Sequence, residues 1–510
     1  MWQEWFKRKI EYCETETLAH FFFQNAYRIP EKTALEWYDF EKDCVTGVTY
    51  EQLFSDIVCL GTALYRKGLR RKTIALMGER SYEWVLLFLT LLCSNTIVLP
   101  LDPKLPADEL KNRISFADTQ VCFAEDGLSS DIEGIRLPGI TLYRLSEVMD
   151  LLEEGRRYFL SAEVGREWIE DPICEKQMVM MIYTSGTGGK MKAAVIRQEN
   201  FTLERFVWNG LKMQESKCLI TLPLYHIAGI GDLRGTLLVG TTAYLSAGLR
   251  YLLKEYAYVK PKVGFMVPAQ ALLLYEVLSG KEKMEARALL GNHFSAIRAT
   301  GAPLPQNIRD MFLAYDISVT SDYGMTETTG PVSVSMEKDG RIFSKEGSVG
   351  HILDCLEVRV DAPDENGRGE ILISGQCVFD GYYKDQEETD SILIHGWLHT
   401  GDIGYIDEDR FLFIVGRKKN VVILPSGENV IPEEIEKLLY RIPEIEECLV
   451  YEKGEKIAAG IFCGDAVKRE YLESEIDKIN RSLPNYKRIG VIEFRTEPFP
   501  KTASGKIRRA

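Results

Sequence analysis

The run Tyr183-Thr-Ser-Gly-Thr-Gly-Gly-Lys-Met-Lys192 concentrates groups suited to a polyphosphate. Gly186, Gly188 and Gly189 let backbone N–H groups approach phosphate oxygens closely, Thr184, Ser185 and Thr187 add hydroxyl donors, and Lys190 and Lys192 add charge. A Walker A loop is excluded, because Thr184 stands where its first glycine is needed and Met191 follows Lys190 where Ser or Thr is required. No G-x-S-x-G elbow occurs, so acyl chemistry through a serine nucleophile is not expected. Standing alone, the run would also suit a flexible Gly/Ser/Thr turn.

Such a loop must be carried by an element that ends at it. The apolar stretch Met178 to Ile182 predicts a strand immediately before. From about residue 30 to 180, apolar runs such as Thr73 to Met77 and Thr96 to Leu101 alternate with helical patterns such as Glu51 to Lys67. Short strands are predicted near Cys218 to Leu222, Lys262 to Val267 and Ala296 to Thr300, each followed by a Pro or Gly turn. The alternation implies α/β units with parallel strands, whose ligands gather at the carboxyl ends. From about 340 to 416 the texture becomes short β segments separated by polar turns, a β-rich subdomain. After Gly416 come a charged stretch, an amphipathic segment Pro432 to Tyr440 and a basic end, Lys501 to Arg509. The expected organisation is a large unit over 1–416, with two α/β subdomains and the β-rich one, and a small α+β unit over 417–510.

The chain of 510 residues is long enough for more than one core, and 45% hydrophobic with 27% charged residues is the composition of a globular protein. Its formal charge of -14 argues against a nucleic-acid partner, so an anionic substrate has to be met by a local cluster of cations and donors. The eleven cysteines include no CxxC pair and fit neither a zinc site nor a disulfide framework, which points to the cytoplasm. The first residues carry an early acid and no apolar core of a secretory signal. Trp2, Phe6 and Ile10 predict an apolar helix face, docked on the protein's own body, with a membrane surface as the alternative. Trp84 to Leu101, interrupted by Ser94, Asn95 and Pro100, reads as a buried helix followed by a strand, so no membrane span is expected.

The loop at 183–192 resembles the Y-T-S-G-T-T-G-x-P-K-G loop of the adenylate-forming, AMP-binding superfamily, which includes acyl-CoA synthetases of the fatty-acid–CoA ligase type, peptide-synthetase adenylation domains and beetle luciferases. Gly188, Met191 and Ala193 depart from that pattern, while Lys192 keeps the lysine. Further segments are similar to the family's motifs in the same order along essentially the whole chain, beginning with Val48-Thr-Tyr-Glu-Gln-Leu53 and Val98-Leu-Pro-Leu-Asp-Pro103.

The resemblance implies roles for named residues. Thr184, Ser185, Gly186, Thr187, Gly188 and Lys192 would bind the phosphates. Pro223-Leu-Tyr-His-Ile-Ala-Gly229 resembles an aromatic gate with His226 at the acyl and ATP entrances. Gly301, Ala302 and Pro303 would lie along the nucleotide. In Asp322-Tyr323-Gly324-Met325-Thr326-Glu327-Thr328, the Tyr323 ring would stack on adenine, Thr326 would bond the α-phosphate and Glu327 would hold magnesium. These residue types suit a flat base, an anionic oxygen and a hard cation respectively. Asp402 of Trp397-Leu-His-Thr-Gly-Asp402 would accept both ribose hydroxyls, Arg417 would approach the ribose or α-phosphate, and Lys419 would mark the hinge. Lys506, in the terminal Pro500-Lys-Thr-Ala-Ser-Gly-Lys-Ile-Arg-Arg509, would enter the active site, and Gly427 would leave room for a pantetheine arm.

The activity so implied is attack of a small-molecule carboxylic acid on ATP with Mg2+ present, giving an acyl-adenylate and pyrophosphate, followed by transfer to coenzyme A after the small unit rotates. A stand-alone adenylation enzyme loading a carrier protein is the alternative. It usually places an Asp just after the gate and at the hinge, whereas Asp232 does not align and the hinge residue is Lys419. A nucleotide-binding homologue without catalysis is a further alternative. Gly229, Gly231, Gly301 and Gly330 are expected to leave space for a medium, long or ring-bearing acyl group.

Overall fold

The computed structural model describes residues 2–11, 17–128, 139–160, 174–184, 191–202, 217–301, 304–335, 343–425, 427–464, 467, 469–501 and 507–509. Seven strands form the central sheet, in the order 381–382, 193–197, 178–183, 97–101, 73–77, 121–124 and 141–144. Thr73–Met77 is buried along its whole length and pairs in parallel with Ile97–Leu101 and Val121–Ala124, which is why these runs are apolar without alternation. Helices cover the sheet. Tyr50–Arg66 starts at a capping box, in which the Thr49 hydroxyl accepts from Gln52 N at 3.2 Å and Gln52 Oε1 accepts from Thr49 N at 2.9 Å. Tyr82–Leu92 begins at Ser81, and every residue but Glu83 is buried, as the apolar run predicts. Among the described residues no helix is long and apolar enough to cross a membrane.

A second parallel sheet, Val263–Met266, Ala296–Ala299 and Ser318–Ser321, carries its own apolar core with Phe294, Phe312 and Leu274. The N-terminal helix Trp2–Glu11 lies on the body of the protein: Phe6 is buried, and Trp2 stacks on Phe159 at 4.5 Å.

Two local features depart from a simple α/β alternation. Ala193–Arg197 runs antiparallel to Met178–Tyr183, and the two are tied where Thr184 N donates to Lys192 O at 3.1 Å. The 340–416 stretch is not purely β. Helix Gln386–Ile392 interrupts it, capped by the Asp385 carboxylate, and Gly381–Tyr382 leaves for the central sheet, where it pairs with Ala194 and Val195. His351–Ile352 pairs with Gly330–Val334, and the other strands form a five-stranded sheet that includes Gly369–Ser374, Trp397–Ile406 and Leu412–Arg417.

Beyond Val422 a separate apolar cluster gathers Val430, Ile435, Leu439, Val450, Ile461, Leu472 and Ile476. It is built by helices Pro432–Leu439 and Arg469–Ser482 on the sheet of Ile445–Lys453, Lys456–Cys463 and Ile489–Arg495. Gly416 meets this unit directly: a Cβ there would lie 2.3 Å from Ile431 Cγ2 and 2.7 Å from Glu433 Oε2.

Candidate active site

Strand ends and tight turns bring the sequence-predicted residues together. Tyr323 heads a short hairpin, Tyr323–Met325 against Gly330–Val334, whose glycine is obligatory because a Cβ on Gly324 would stand 2.3 Å from Gly330 O. The turn Thr326–Thr328 follows, held by Thr328 Oγ1, which accepts from Met325 N at 3.0 Å and donates to Gly330 O at 2.8 Å. Thr329 then takes the left-handed conformation at φ 56, a strained state for a β-branched residue. Asp322 is committed elsewhere. Its carboxylate pairs with the buried Arg298 guanidinium and accepts from Ser335 N at 3.0 Å, so it anchors the hairpin.

Asp402 is the buried centre of one half of the site. Tyr323 Oη donates to its Oδ2 at 2.5 Å and Arg417 Nε approaches its Oδ1 at 2.6 Å. Burial, then the Asp402 charge, pushes the Tyr323 hydroxyl well above its ordinary range, so it remains a donor. Asp402 lies within strand Trp397–Ile406, at a register irregularity against Gly369–Ser374 where Gly401 has φ 69 and Asp402 N donates to Thr400 Oγ1 at 3.1 Å. Glu370, which no motif reading singled out, fixes this irregularity. It accepts from Gly401 N at 3.0 Å, and its other oxygen takes Lys418 Nζ at 2.7 Å and lies 3.3 Å from His399 Nδ1. Although burial raises its pKa, Lys418 and these hydrogen bonds hold the carboxyl below the usual glutamate range.

The other half lines the phosphate loop. Lys192 Nζ pairs with Glu388 Oε1 at 2.5 Å and stands 5.2 Å from the centroid of the Tyr382 ring. Tyr382 Oη in turn donates to Glu327 Oε1 at 2.6 Å. Lys419 connects the halves: burial lowers its pKa first, and the neighbouring Arg417 and Lys192 charges lower it further, with Asp402 opposing. Lys192, Arg417 and Lys419 therefore lie near enough for their like charges to oppose one another, with Lys192 paired to Glu388 and Arg417 to Asp402. Glu327 is a single buried carboxylate that keeps acceptor capacity beside Tyr382. Among the described residues no group of three or more His, Cys, Asp or Glu gathers. This donor set fits Mg2+ held by one carboxylate together with substrate phosphates, and not an all-protein metal cage.

At the gate, His226 precedes helix Ile227–Leu238, its ring 4.8 Å from that of Tyr225. Burial lowers the His226 pKa, Asp102 opposes and Arg113 adds to the lowering, so the imidazole is neutral at pH 7. Arg80, also invisible to motif reading, ties the strand end before the gate through Thr221 O at 2.9 Å and Ser246 O at 3.1 Å. Gly229 is not a source of acyl space. A Cβ there would lie 2.2 Å from Pro223 O, so the glycine exists to let the helix pack on the gate turn. Among the described residues, Val267 Cγ1 at 3.9 Å is the nearest atom to a Cβ position on Gly301, which has φ 82, and none lies within 4 Å of one on Gly427, which has φ 92.

Ser185, Gly186, Thr187, Gly188, Ala302, Pro303 and Lys506 lie outside the described residues. The residues flanking Lys506 are placed: Lys501 bridges Ile507, Lys501 Nζ pairs with Glu447 at 2.6 Å, and Arg509 grips both Glu436 oxygens at 2.7 and 2.6 Å. Arg509 also lies 3.4 Å from Glu433, the residue packed against Gly416.

Known proteins resemble the chain along nearly its whole length. The 2-succinylbenzoate–CoA ligase of Oceanobacillus iheyensis is 27% identical over 97% of this chain and 99% of its own. A probable CoA ligase of Humulus lupulus, CCL5, is 27% identical over 92% of this chain and 88% of its own. Two solved structures share the fold, with a large N-terminal and a small C-terminal domain. The anthranilate CoA ligase AuaEII in complex with anthranoyl-AMP has a TM-score of 0.81 at 21% identity, covering 98% of this chain and 96% of that one. The O-succinylbenzoate coenzyme A synthetase of Bacillus subtilis, in complex with ATP and magnesium, gives 0.77 at 24% identity, covering 96% and 98%. A family model described as AMP-binding enzyme matches residues 22–383, and one for its C-terminal domain matches 434–506, so the chain belongs to the AMP-binding enzyme family.

Proposed function

We propose that this chain is an AMP-forming acid–thiol ligase: it activates a carboxylic acid with ATP and passes the acyl group to coenzyme A. The observation that carries the reading is the convergence of Tyr323 and Arg417 on Asp402, with the Arg417 and Lys192 charges near enough to help lower the Lys419 pKa. An aromatic face, a buried acceptor for two hydroxyls and three cations suit a base, a ribose and a polyphosphate.

In the first step a carboxylate oxygen of the acid bonds to the α-phosphorus and the bond to pyrophosphate breaks. Both reactants are anionic, so Lys192, Arg417 and Lys506 offset their repulsion and hold them in line. Thr326 donates to an α-phosphate oxygen. Magnesium, held by Glu327, would supply further charge neutralisation at the phosphates. Neutral His226 borders the acyl entrance without adding a cation that would trap the incoming carboxylate. In the second step the thiol sulfur bonds to the acyl carbon, the bond to AMP breaks and the thiol proton is lost to solvent. A domain boundary at 417, with Lys419 as hinge, would let the small unit withdraw Lys506 between the steps, and the open space at Gly427 would admit the pantetheine arm. The two ligase relatives, similar along almost their whole lengths, support coenzyme A over a carrier protein as acceptor. Cysteine usage supports a cytoplasmic setting.

The test is acid-dependent exchange of labelled pyrophosphate into ATP, screened over fatty, aromatic and dicarboxylic acids, followed by thioester formation with free coenzyme A or a carrier protein. Exchange with at least one acid and thioester on free coenzyme A are expected. Exchange with none would remove the adenylation reading, and transfer to a carrier alone would replace the acceptor.

A further inference from the structure

The ion pair at the end of the phosphate loop points to a residue outside the family motifs quoted above. Glu388 and Lys192 are 196 positions apart, yet both are fixed to one seam of the central sheet. Lys192 immediately precedes strand Ala193–Arg197, and the strand paired with it, Gly381–Tyr382, leads into helix Gln386–Ile392, which carries Glu388. That helix is seated firmly. Thr389 Oγ1 accepts from Tyr382 N at 2.9 Å, and a Cβ on Gly381 would stand 2.6 Å from Thr389 Cγ2. The carboxylate is thus presented to Lys192 from a firmly seated helix.

We propose that Glu388 is a positioning residue for nucleotide binding: its carboxylate holds the Lys192 ammonium at the mouth of the phosphate loop, in line with Tyr382 and Glu327. An ammonium has three donors, so the bond to Glu388 leaves two for phosphate oxygens, and the Tyr382 ring limits where the Lys192 side chain can swing. Side-chain exposures of 23% for Lys192 and 32% for Glu388 place the pair between surface and core, where solvent screening only partly weakens it. The opposite sign is the competing expectation, in which Glu388 repels the triphosphate and its removal improves binding.

The inference rests on the nucleotide reading of the site, and the experiment separates the two. Binding of the non-hydrolysable analogue α,β-methylene-ATP with Mg2+, and of AMP, is measured by calorimetry on the full chain for wild type, Glu388→Gln, Lys192→Met and the double variant. Glu388→Gln is expected to weaken the analogue about 5- to 10-fold and AMP less than about 2-fold, with less than about 2-fold further loss in the Lys192→Met background. A purely structural role would weaken both nucleotides alike. Unchanged or tighter analogue binding, equal loss for AMP, or the same loss with Lys192 already removed overturns the inference while leaving the nucleotide site standing. Failure of the wild type to bind either nucleotide overturns both.

Discussion

Tyr323→Phe removes one oxygen from the site and leaves the aromatic face in place. In the structure that oxygen donates to Asp402 Oδ2 at 2.5 Å, and Asp402 is 3% exposed, so water cannot readily replace it. A hydrogen bond to a buried carboxylate is worth about 1.5–3 kcal/mol. Arg417 still holds the other oxygen, which sets the expected local loss at about 2 kcal/mol, nearer the middle of that range. The chain has more than one core, so a single unfolding free energy is not defined, and the readout is hydrogen exchange of strand Trp397–Ile406. For AMP the phenyl ring still stacks, but the carboxylate is free to turn from the ribose, and affinity should fall about 3- to 10-fold. Asp402→Asn should cost more, about 30- to 100-fold, because charge-assisted acceptance is lost as well as orientation. The two effects share one bond, so the double variant should bind AMP within about 2-fold of Asp402→Asn alone. A Tyr323→Phe effect of equal size with Asp402 intact or replaced would refute the coupling.

Other outcomes follow from the same geometry. Lys506→Ala should abolish adenylate formation yet largely spare thioester formation from supplied acyl-adenylate; equal loss of both partial reactions would count against a lysine that is withdrawn between steps. His226 has a folded pKa lowered beneath its ordinary 6.5, so the unfolded chain binds the proton more readily and stability falls as pH drops below that value toward the folded pKa. His226→Asn should flatten that portion of a pH series of hydrogen-exchange protection in helix Ile227–Leu238 while leaving protection at pH 8 little changed. Gly416→Ala forces a Cβ to within 2.3 Å of Ile431 Cγ2, an overpacking of about 1–3 kcal/mol that falls on the contact with the small unit. Limited proteolysis should then cleave between the two units faster than in wild type, with exchange in strand Thr73–Met77 unaffected.

Much of the site was legible because its chemistry is local in sequence. The phosphate loop declares itself through three glycines, three hydroxyls and two lysines within ten residues, and Thr73–Met77 through an unbroken apolar run. Through-space partners were not legible. Glu370, Glu388 and Arg80 are single charges in a chain where 27% of residues are charged, and only folding sets Glu388 against a lysine 196 positions away. Spacing also misled where glycine has two uses. Gly229 reads as room for a substrate, whereas the structure uses it for a helix pressed on Pro223 O. The helix Gln386–Ile392 escaped notice because its seven residues are too few to show an apolar period, and the signal that could have found it is the Asp385 cap.

The most direct measurement is a staged single turnover followed by mass spectrometry. Excess enzyme is mixed with ATP, Mg2+ and an acid active in exchange, first without and then with coenzyme A. The account predicts enzyme-bound acyl-AMP and free pyrophosphate in the first stage, and loss of acyl-AMP matched by equal acyl-CoA and AMP in the second. Release of ADP and phosphate, or acyl-CoA formed with no acyl-AMP before it, would contradict it.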